Sequence, residues 1–281
     1  MYINYWNLTE KPFQNAPSSK FAYYSDQHKE GLARLVYLVE NRKLGGIMAG
    51  PYGSGKSMIL ELLDREVKKK TEARFIRIDA SLGGTLPLAR QILRRLGYND
   101  MVADVSQALQ VLEDLCSYDR SKFSHVALAI DEAQFIRNPD TVEFLHLLTN
   151  VRVLNRDGNY GENAVTLILA GHEEVVGTMM KDMSLRQRFQ LVWRLSPLTM
   201  QQTMEYVHSR IRAAGGDIWI FDEEVFSALH EASSGLPRMI NNICDLALVL
   251  GCAAQAPKVT LPIMKQAINE LNFGSEFEQE A

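Results

Sequence analysis

The sequence predicts an α/β protein: helices on both faces of a mainly parallel sheet, followed by a small all-helical domain. Three observations carry this. Short apolar runs alternate with helical periodicity from about residue 45 to residue 197, the order that builds a parallel sheet through crossover helices. One run, Val126-Ala127-Leu128-Ala129-Ile130, is apolar at every position, as a strand covered on both faces must be. After Pro197 the strand signals stop and only helical periodicity remains.

The first strand is read at Ile47-Met48-Ala49, and it runs into Gly50-Pro51-Tyr52-Gly53-Ser54-Gly55-Lys56-Ser57. That stretch fits G-x-x-x-x-G-K-[ST], the phosphate-binding loop of nucleoside triphosphatases. A helix-forming run from Ser57 and Met58 to Leu63 follows, so the strand–loop–helix setting that the motif requires is present. Glycines let the backbone adopt conformations closed to other residues. The loop N–H groups can then converge on phosphate, helped by the positive end of the helix. Lys56 would reach the β- and γ-phosphates of ATP and Ser57 would hold Mg²⁺. The sandwich is therefore read as a P-loop core.

Further along, Arg74–Asp79 alternates as a strand does. A helix starting near Pro87 carries Leu88, Ile92, Leu93 and Leu96 on one face, and another over about residues 105–118 turns Leu109, Leu112 and Leu115 inward with Asp104 as its cap. The apolar strand ends in Asp131-Glu132, two carboxylates at the edge where open α/β sheets bind ligands. Asp131 is the expected partner of the metal and Glu132 the expected base for the attacking water. A helix from about Asp140 (Val142, Leu145, Leu148, Val151), a loop over 155–161, a strand at 165–170 and a short strand at 192–195 complete the core. Helices are expected at 200–213, 223–232, 236–250 and 261–271, with Asp222 and Thr260 as caps of the second and fourth. The expected domains are residues 1–44 flanking the nucleotide site, 45–197 the core, 198–273 the helical lid, and 274–281 a disordered acidic tail.

The chain has 281 residues, a formal net charge of -4 and 23% charged residues. Such a balance exerts no general pull on nucleic acid or anionic membrane. The three cysteines, Cys116, Cys244 and Cys252, lie in apolar helix-like runs without metal-ligand spacing, as expected of buried thiols in a reducing cytoplasm. No apolar run approaches the ~20 residues of a membrane span, and no secretory leader is visible. A place at the inner membrane is expected only through partners.

With nucleotide loop, acidic strand end and helical tail in this order, the chain resembles the AAA+ ATPases. Two further stretches are similar to signatures of the ExeA/GspA family: Tyr5-Trp6-Asn7-Leu8 with Lys11-Pro12-Phe13 and Ser25-Asp26-Gln27-His28, and Gly235-Leu236-Pro237-Arg238-Met239-Ile240-Asn241-Asn242 with Cys244-Asp245. The resemblance covers about Tyr5 to Leu271. It implies that Arg238 is the sensor-2 arginine, reaching from the lid toward the γ-phosphate. Arg186 and Arg188 fall in the region of the arginine finger, a group donated by a neighbouring subunit. Relatives carry Gln after the glycine that ends the fourth strand; here the stretch is Gly171-His172-Glu173, so His172 takes either the sensor-1 role or that of an ordinary strand-end histidine. Phe13 matches the N-terminal segment that closes the adenine pocket, and it serves equally as an aromatic at the core edge.

The resemblance implies an ATPase that drives conformational change in a ring or helical oligomer serving a secretion, pilus or exopolysaccharide system. An alternative of another class is an ATP-dependent DNA-bound regulator of transposition, similar to the TnsC group. Its candidate duplex contacts are Lys68-Lys69-Lys70, Arg90, Arg94 and Arg95. A third is a nucleotide-gated scaffold with little hydrolysis, against which the Asp131-Glu132 pair speaks.

Overall fold

The structure, a computed structural model, describes residues 2–16, 19–80, 83–116, 123–154 and 160–278. After a helical turn, α1 (Tyr2–Tyr5), the elements of the strand-and-helix part follow in order: α2 (Asp26–Glu40), β1 (Gly45–Ala49), α3 (Lys56–Lys70), β2 (Arg74–Asp79), α4 (Thr85–Arg95), α5 (Val105–Cys116), β3 (Val126–Asp131), α6 (Pro139–Leu148), β4 (Arg152–Leu154), β5 (Tyr160–Asn163), β6 (Val165–Gly171), α7 (Glu174–Lys181), α8 (Met183–Arg188) and β7 (Phe189–Arg194). The helical part holds α9 (Met200–Ala213), α10 (Val225–Ser233), α11 (Pro237–Ala253) and α12 (Leu261–Glu278). Two compact units result: residues 26–50 with 56–195, and residues 1–25 with 51–55 and 196–281.

In the first unit, five strands pair in the order β2-β3-β6-β1-β7, and every pairing is parallel. The three inner strands β3, β6 and β1 are buried at every residue, whereas β2 and β7 at the edges include exposed and half-buried positions. This is the burial that crossover helices on both faces impose. Side chains on one face, among them Ile47, Ile76, Ile78, Leu128, Ile130, Leu167 and Leu169, pack with α4, α5 and α6. Those on the other, including Met48, Phe75, Ala127, Ala129, Ile168 and Ala170, pack with α2 and α3. The register Asp79↔Asp131 and Ala49↔Gly171 brings the carboxyl ends of β2, β3, β1 and β6 to one edge, the edge at which ligands bind in open parallel sheets.

The second unit has its own core. Trp6, Leu8, Phe13 and Phe21 from the N-terminal segment are buried with Val207, Phe226, Ile243 and Leu248 of the helices. The two stretches singled out in the sequence at opposite ends of the chain meet here. Trp6 Nε1 donates to the Leu248 carbonyl at 2.9 Å, and Asn241 Nδ2 donates to Asn15 Oδ1 at 2.9 Å. The buried Arg210 guanidinium donates to the carbonyls of Pro12 and Gln14 at 2.6 and 2.8 Å. These charge-assisted bonds fix the otherwise irregular N-terminal backbone.

Several boundaries differ from expectation. Asp222 does not cap α10, which starts at Val225. Its backbone N–H is bonded to the Val259 carbonyl and its carboxylate pairs with Lys258 at 3.2 Å, so residue 222 belongs to a bridge between segments. Pro87 is the third residue of α4, because the helix starts at Thr85. The last strand begins three residues earlier than read, at Phe189, and α12 continues through Gly274 to Glu278. Tyr118, residues 155–159 of the expected loop and residues 279–281 lie outside the described residues. The cap at Asp104 is as read: its carboxylate accepts the Gln107 N–H at 2.8 Å.

Candidate nucleotide site

The loop leaves β1 with the Gly50 N–H bonded to the Gly171 carbonyl at 3.1 Å. Gly53 and Gly55 then take φ of 77° and 103°, a region in which side chains are strained. Gly53 has a second requirement. A Cβ there would fall 2.7 Å from the Cβ of Arg238, and the Arg238 N–H faces the Gly53 carbonyl at 3.4 Å. The sensor-2 candidate thus opens α11 against the loop glycine, with its guanidinium exposed. Tyr52 is exposed, whereas Phe13 is buried edge-to-face on Phe221 at 6.0 Å, inside the core of the helical unit.

Lys56 and Ser57 open α3, with Met58 next in its first turn. Lys56 is buried at 6% exposure and its Nζ donates to the Gly50 carbonyl at 2.9 Å. A buried ammonium needs such an acceptor, and a loop carbonyl is one that a phosphate oxygen can replace. Ser57 Oγ donates to Asp131 Oδ2 at 2.8 Å. Asp131, 1% exposed, also accepts the Glu132 N–H on Oδ1 at 3.0 Å and the Arg77 guanidinium on Oδ2 at 2.6 Å. A hydroxyl and a carboxylate oxygen in hydrogen-bond contact are a donor set that suits a hard divalent cation. The glycine backbone of the loop has the shape an anion cradle needs. The residues present therefore fit both magnesium and a nucleoside triphosphate.

Glu132 stands at φ 52°, in the left-handed region, a conformation costing a non-glycine residue about 1 kcal/mol or more and found where function demands it. Its Oε2 accepts from Gln134 Nε2 at 2.6 Å, while Gln134 Oε1 accepts the His172 N–H at 3.0 Å. Because a backbone N–H can only donate, the Gln134 amide orientation is fixed by that second bond. His172 thus enters the site through its backbone. A Cβ at Gly171 would lie 2.5 Å from Gln134 Oε1.

Arg186 and Arg188 end α8. Arg186 is exposed; Arg188 is half-buried near Arg152, whose guanidinium is held below its ordinary range first by burial and then by the charge of Arg188. Arg77 and Gln134 were missed from the sequence. Parity along the strands carried a signal for Arg77, since it shares a face with Asp131 once β2 and β3 are in register. For Gln134 only its closeness to Glu132 hinted.

The fold is that of the P-loop ATPases, with the nucleotide loop and the acidic strand end at one edge of the sheet. Residues 40–179 match the family model described as "AAA domain". Among solved structures the fold is similar to Aeropyrum pernix ORC2, determined as ADPNP–ADP complexes (TM-score 0.72, 15% identity, 93% of this chain and 71% of that one). It is also similar to Cdc6p of Pyrobaculum aerophilum (TM-score 0.68, 17% identity, 88% and 67%) and to the RuvB Holliday junction branch migration motor of Thermotoga maritima (TM-score 0.61, 16% identity, 92% and 74%). The chain is 28% identical over 261 residues to general secretion pathway protein A of Aeromonas hydrophila, with 92% of this chain aligned. It spans about half, 46%, of that relative's length. The AAA domain match and the similarity to general secretion pathway protein A together support an AAA+ ATPase of the ExeA/GspA family.

Proposed function

We propose that the chain hydrolyses ATP with magnesium and uses the cycle to change the shape of an oligomer serving an envelope secretion, pilus or polysaccharide system. The observation that carries the ATPase reading is the 2.8 Å contact of Ser57 Oγ with Asp131 Oδ2 beside the buried Lys56. Ser57 and Asp131 would hold magnesium, which when bound neutralises charge on the phosphate oxygens. Lys56 exchanges the Gly50 carbonyl for phosphate oxygen. Glu132 orients the attacking water and accepts its proton, while the bond from γ-phosphorus to the bridging oxygen breaks and ADP leaves with the electron pair. Arg238, on the helix that opens against Gly53, senses which nucleotide the loop holds.

Exposure favours Arg186 over Arg188 as the finger donated to a neighbouring subunit. Similarity to general secretion pathway protein A supports secretion as the setting. Among the described residues no helix is long and apolar enough to cross a membrane; attachment at the inner membrane through a partner belongs to the same reading. The DNA-bound alternative has less support. Lys68 pairs with Asp64, and Lys69 and Lys70 pair with Glu66, on their own helix, while Arg90 is spent on the Val102 carbonyl.

Steady-state phosphate release across a protein dilution series, with magnesium and with EDTA, tests the reading. Metal-dependent turnover that rises more steeply than protein concentration is expected for a finger supplied in trans. Absent or EDTA-resistant turnover contradicts it.

A further inference from the structure

Asp131 carries a partner that neither the nucleotide loop nor the acidic strand end includes. Arg77 Nη2 lies 2.6 Å from Asp131 Oδ2, and Nη1 lies 3.3 Å from the Ser57 carbonyl. The sheet register produces the contact. Arg77 pairs with Ala129 across β2 and β3, so Arg77, Ala129 and Asp131 point to one face, and the methyl group of Ala129 leaves the guanidinium free to lean one step along the strand to Asp131. That face is the one α3 covers, which brings in Ser57.

Burial makes the contact consequential. The Asp131 side chain is 2% exposed and that of Arg77 33%. A carboxylate so enclosed is costly without a cation or several donors. Arg77 supplies the cation, and it does so on Oδ2, the oxygen that also accepts from Ser57 Oγ. The guanidinium therefore occupies the side of the carboxylate that faces the Ser57 hydroxyl.

We propose that Arg77 is the resident counter-cation of the metal site. It holds Asp131 while magnesium is absent and gives up Oδ2 when the magnesium–nucleotide complex is bound, so it sets the free magnesium concentration at which the site loads. Arg77 is a positioning residue in this scheme. The inference rests on the ATP-and-magnesium reading given above.

The test is titration of MgCl₂ into protein with a fluorescent, non-hydrolysable ATP analogue (mant-AMPPNP), reading fluorescence rather than turnover. In Arg77→Gln the magnesium midpoint falls by about tenfold, because a like charge beside the cation has been removed. In Arg77→Lys, which keeps the charge, it stays near wild type, a rescue that a merely structural arginine would not give. A folded Arg77→Gln protein with an unchanged or higher midpoint overturns the proposal. Should that variant not fold, the wild-type chain decides by NMR. The Arg77 Nε–Hε resonance is expected to move when MgCl₂ is added to the analogue complex, and a resonance that stays put overturns the proposal. Wild-type protein that fails to bind mant-AMPPNP at any magnesium concentration contradicts the nucleotide reading itself, and is thereby told apart from failure of the role given to Arg77.

Discussion

Gln134 holds the carboxylate of Glu132, its Nε2 donating to Oε2 at 2.6 Å, and it anchors itself on the His172 N–H at the end of β6. The residue expected to act as base is therefore oriented by the strand beside its own. Glu132→Gln keeps nucleotide affinity and lowers turnover by ~10²–10⁴, the usual worth of a positioned base. Nucleotide binding and single-turnover phosphate release on the same sample check this, and turnover at the wild-type rate would mean that another group activates water.

Gln134→Leu removes the bonds to Glu132 Oε2 and to the His172 N–H and costs about 1–3 kcal/mol in stability. Turnover falls by about tenfold while nucleotide affinity stays, since the lost bond orients only the base. Gly171→Ala reaches the same end sterically, its Cβ arriving 2.5 Å from Gln134 Oε1. Because both disturb the Gln134 side chain, the double variant should lose less than the sum of the two singles. Additive losses in denaturant midpoint and turnover would show that the two do not share a path.

Arg186→Ala is expected to lower turnover by ~10³ or more, as loss of a finger does, with nucleotide affinity unchanged. Arg188→Ala should instead relieve the repulsion on Arg152 and leave turnover within a few-fold of wild type. Phosphate release at a concentration where the chain self-associates separates them; the opposite ranking would move the finger to Arg188.

A pH effect follows from His125. It is buried, its Nε2 lies 2.9 Å from Thr166 Oγ1, and that hydroxyl donates onward to the Lys43 carbonyl. Thr166 is thus the acceptor and His125 the neutral donor. Burial first, and the charge of Arg42 second, pull its pKa from 6.5 down to about 4. The folded value lies below the unfolded one, so the contribution is complete above about pH 6.5, declines as pH falls through the window to 4, and is gone below it; its size is on the order of 3 kcal/mol. Urea midpoints at pH 7 and 4.5 should differ more in wild type than in His125→Gln. Equal pH sensitivity in the two would contradict this.

The sequence carried the chemistry better than the packing. Gly50–Ser57 and Val126–Glu132 are contiguous, and each states its own geometry through glycine freedom, apolar run and charge. Their meeting, Ser57 on Asp131, follows once both belong to one parallel sheet. Arg77 and Gln134 needed more: one depends on the register of β2 against β3, the other on a left-handed turn at Glu132, and neither is a property of composition or period. The hairpin of β4 and β5, with α7 and α8, passed unread because these elements are short and half polar. The sequence reading takes residues 1–44 as one segment flanking the nucleotide site, whereas residues 1–25 fall in the helical unit and residues 26–44 in the strand-and-helix unit. The burial of Trp6, Leu8 and Phe13 among the helices is tied to the bonds of Trp6 to the Leu248 carbonyl and of Arg210 to the Pro12 carbonyl, which sequence spacing cannot connect.

The central claim is that residues 50–57 cradle a triphosphate through Lys56. Calorimetric titration of ATP into wild type and Lys56→Ala, both checked for folding, tests it most directly. The account predicts saturable one-site binding by wild type and loss of measurable tight binding in the variant. Equal affinity in the two proteins would contradict it.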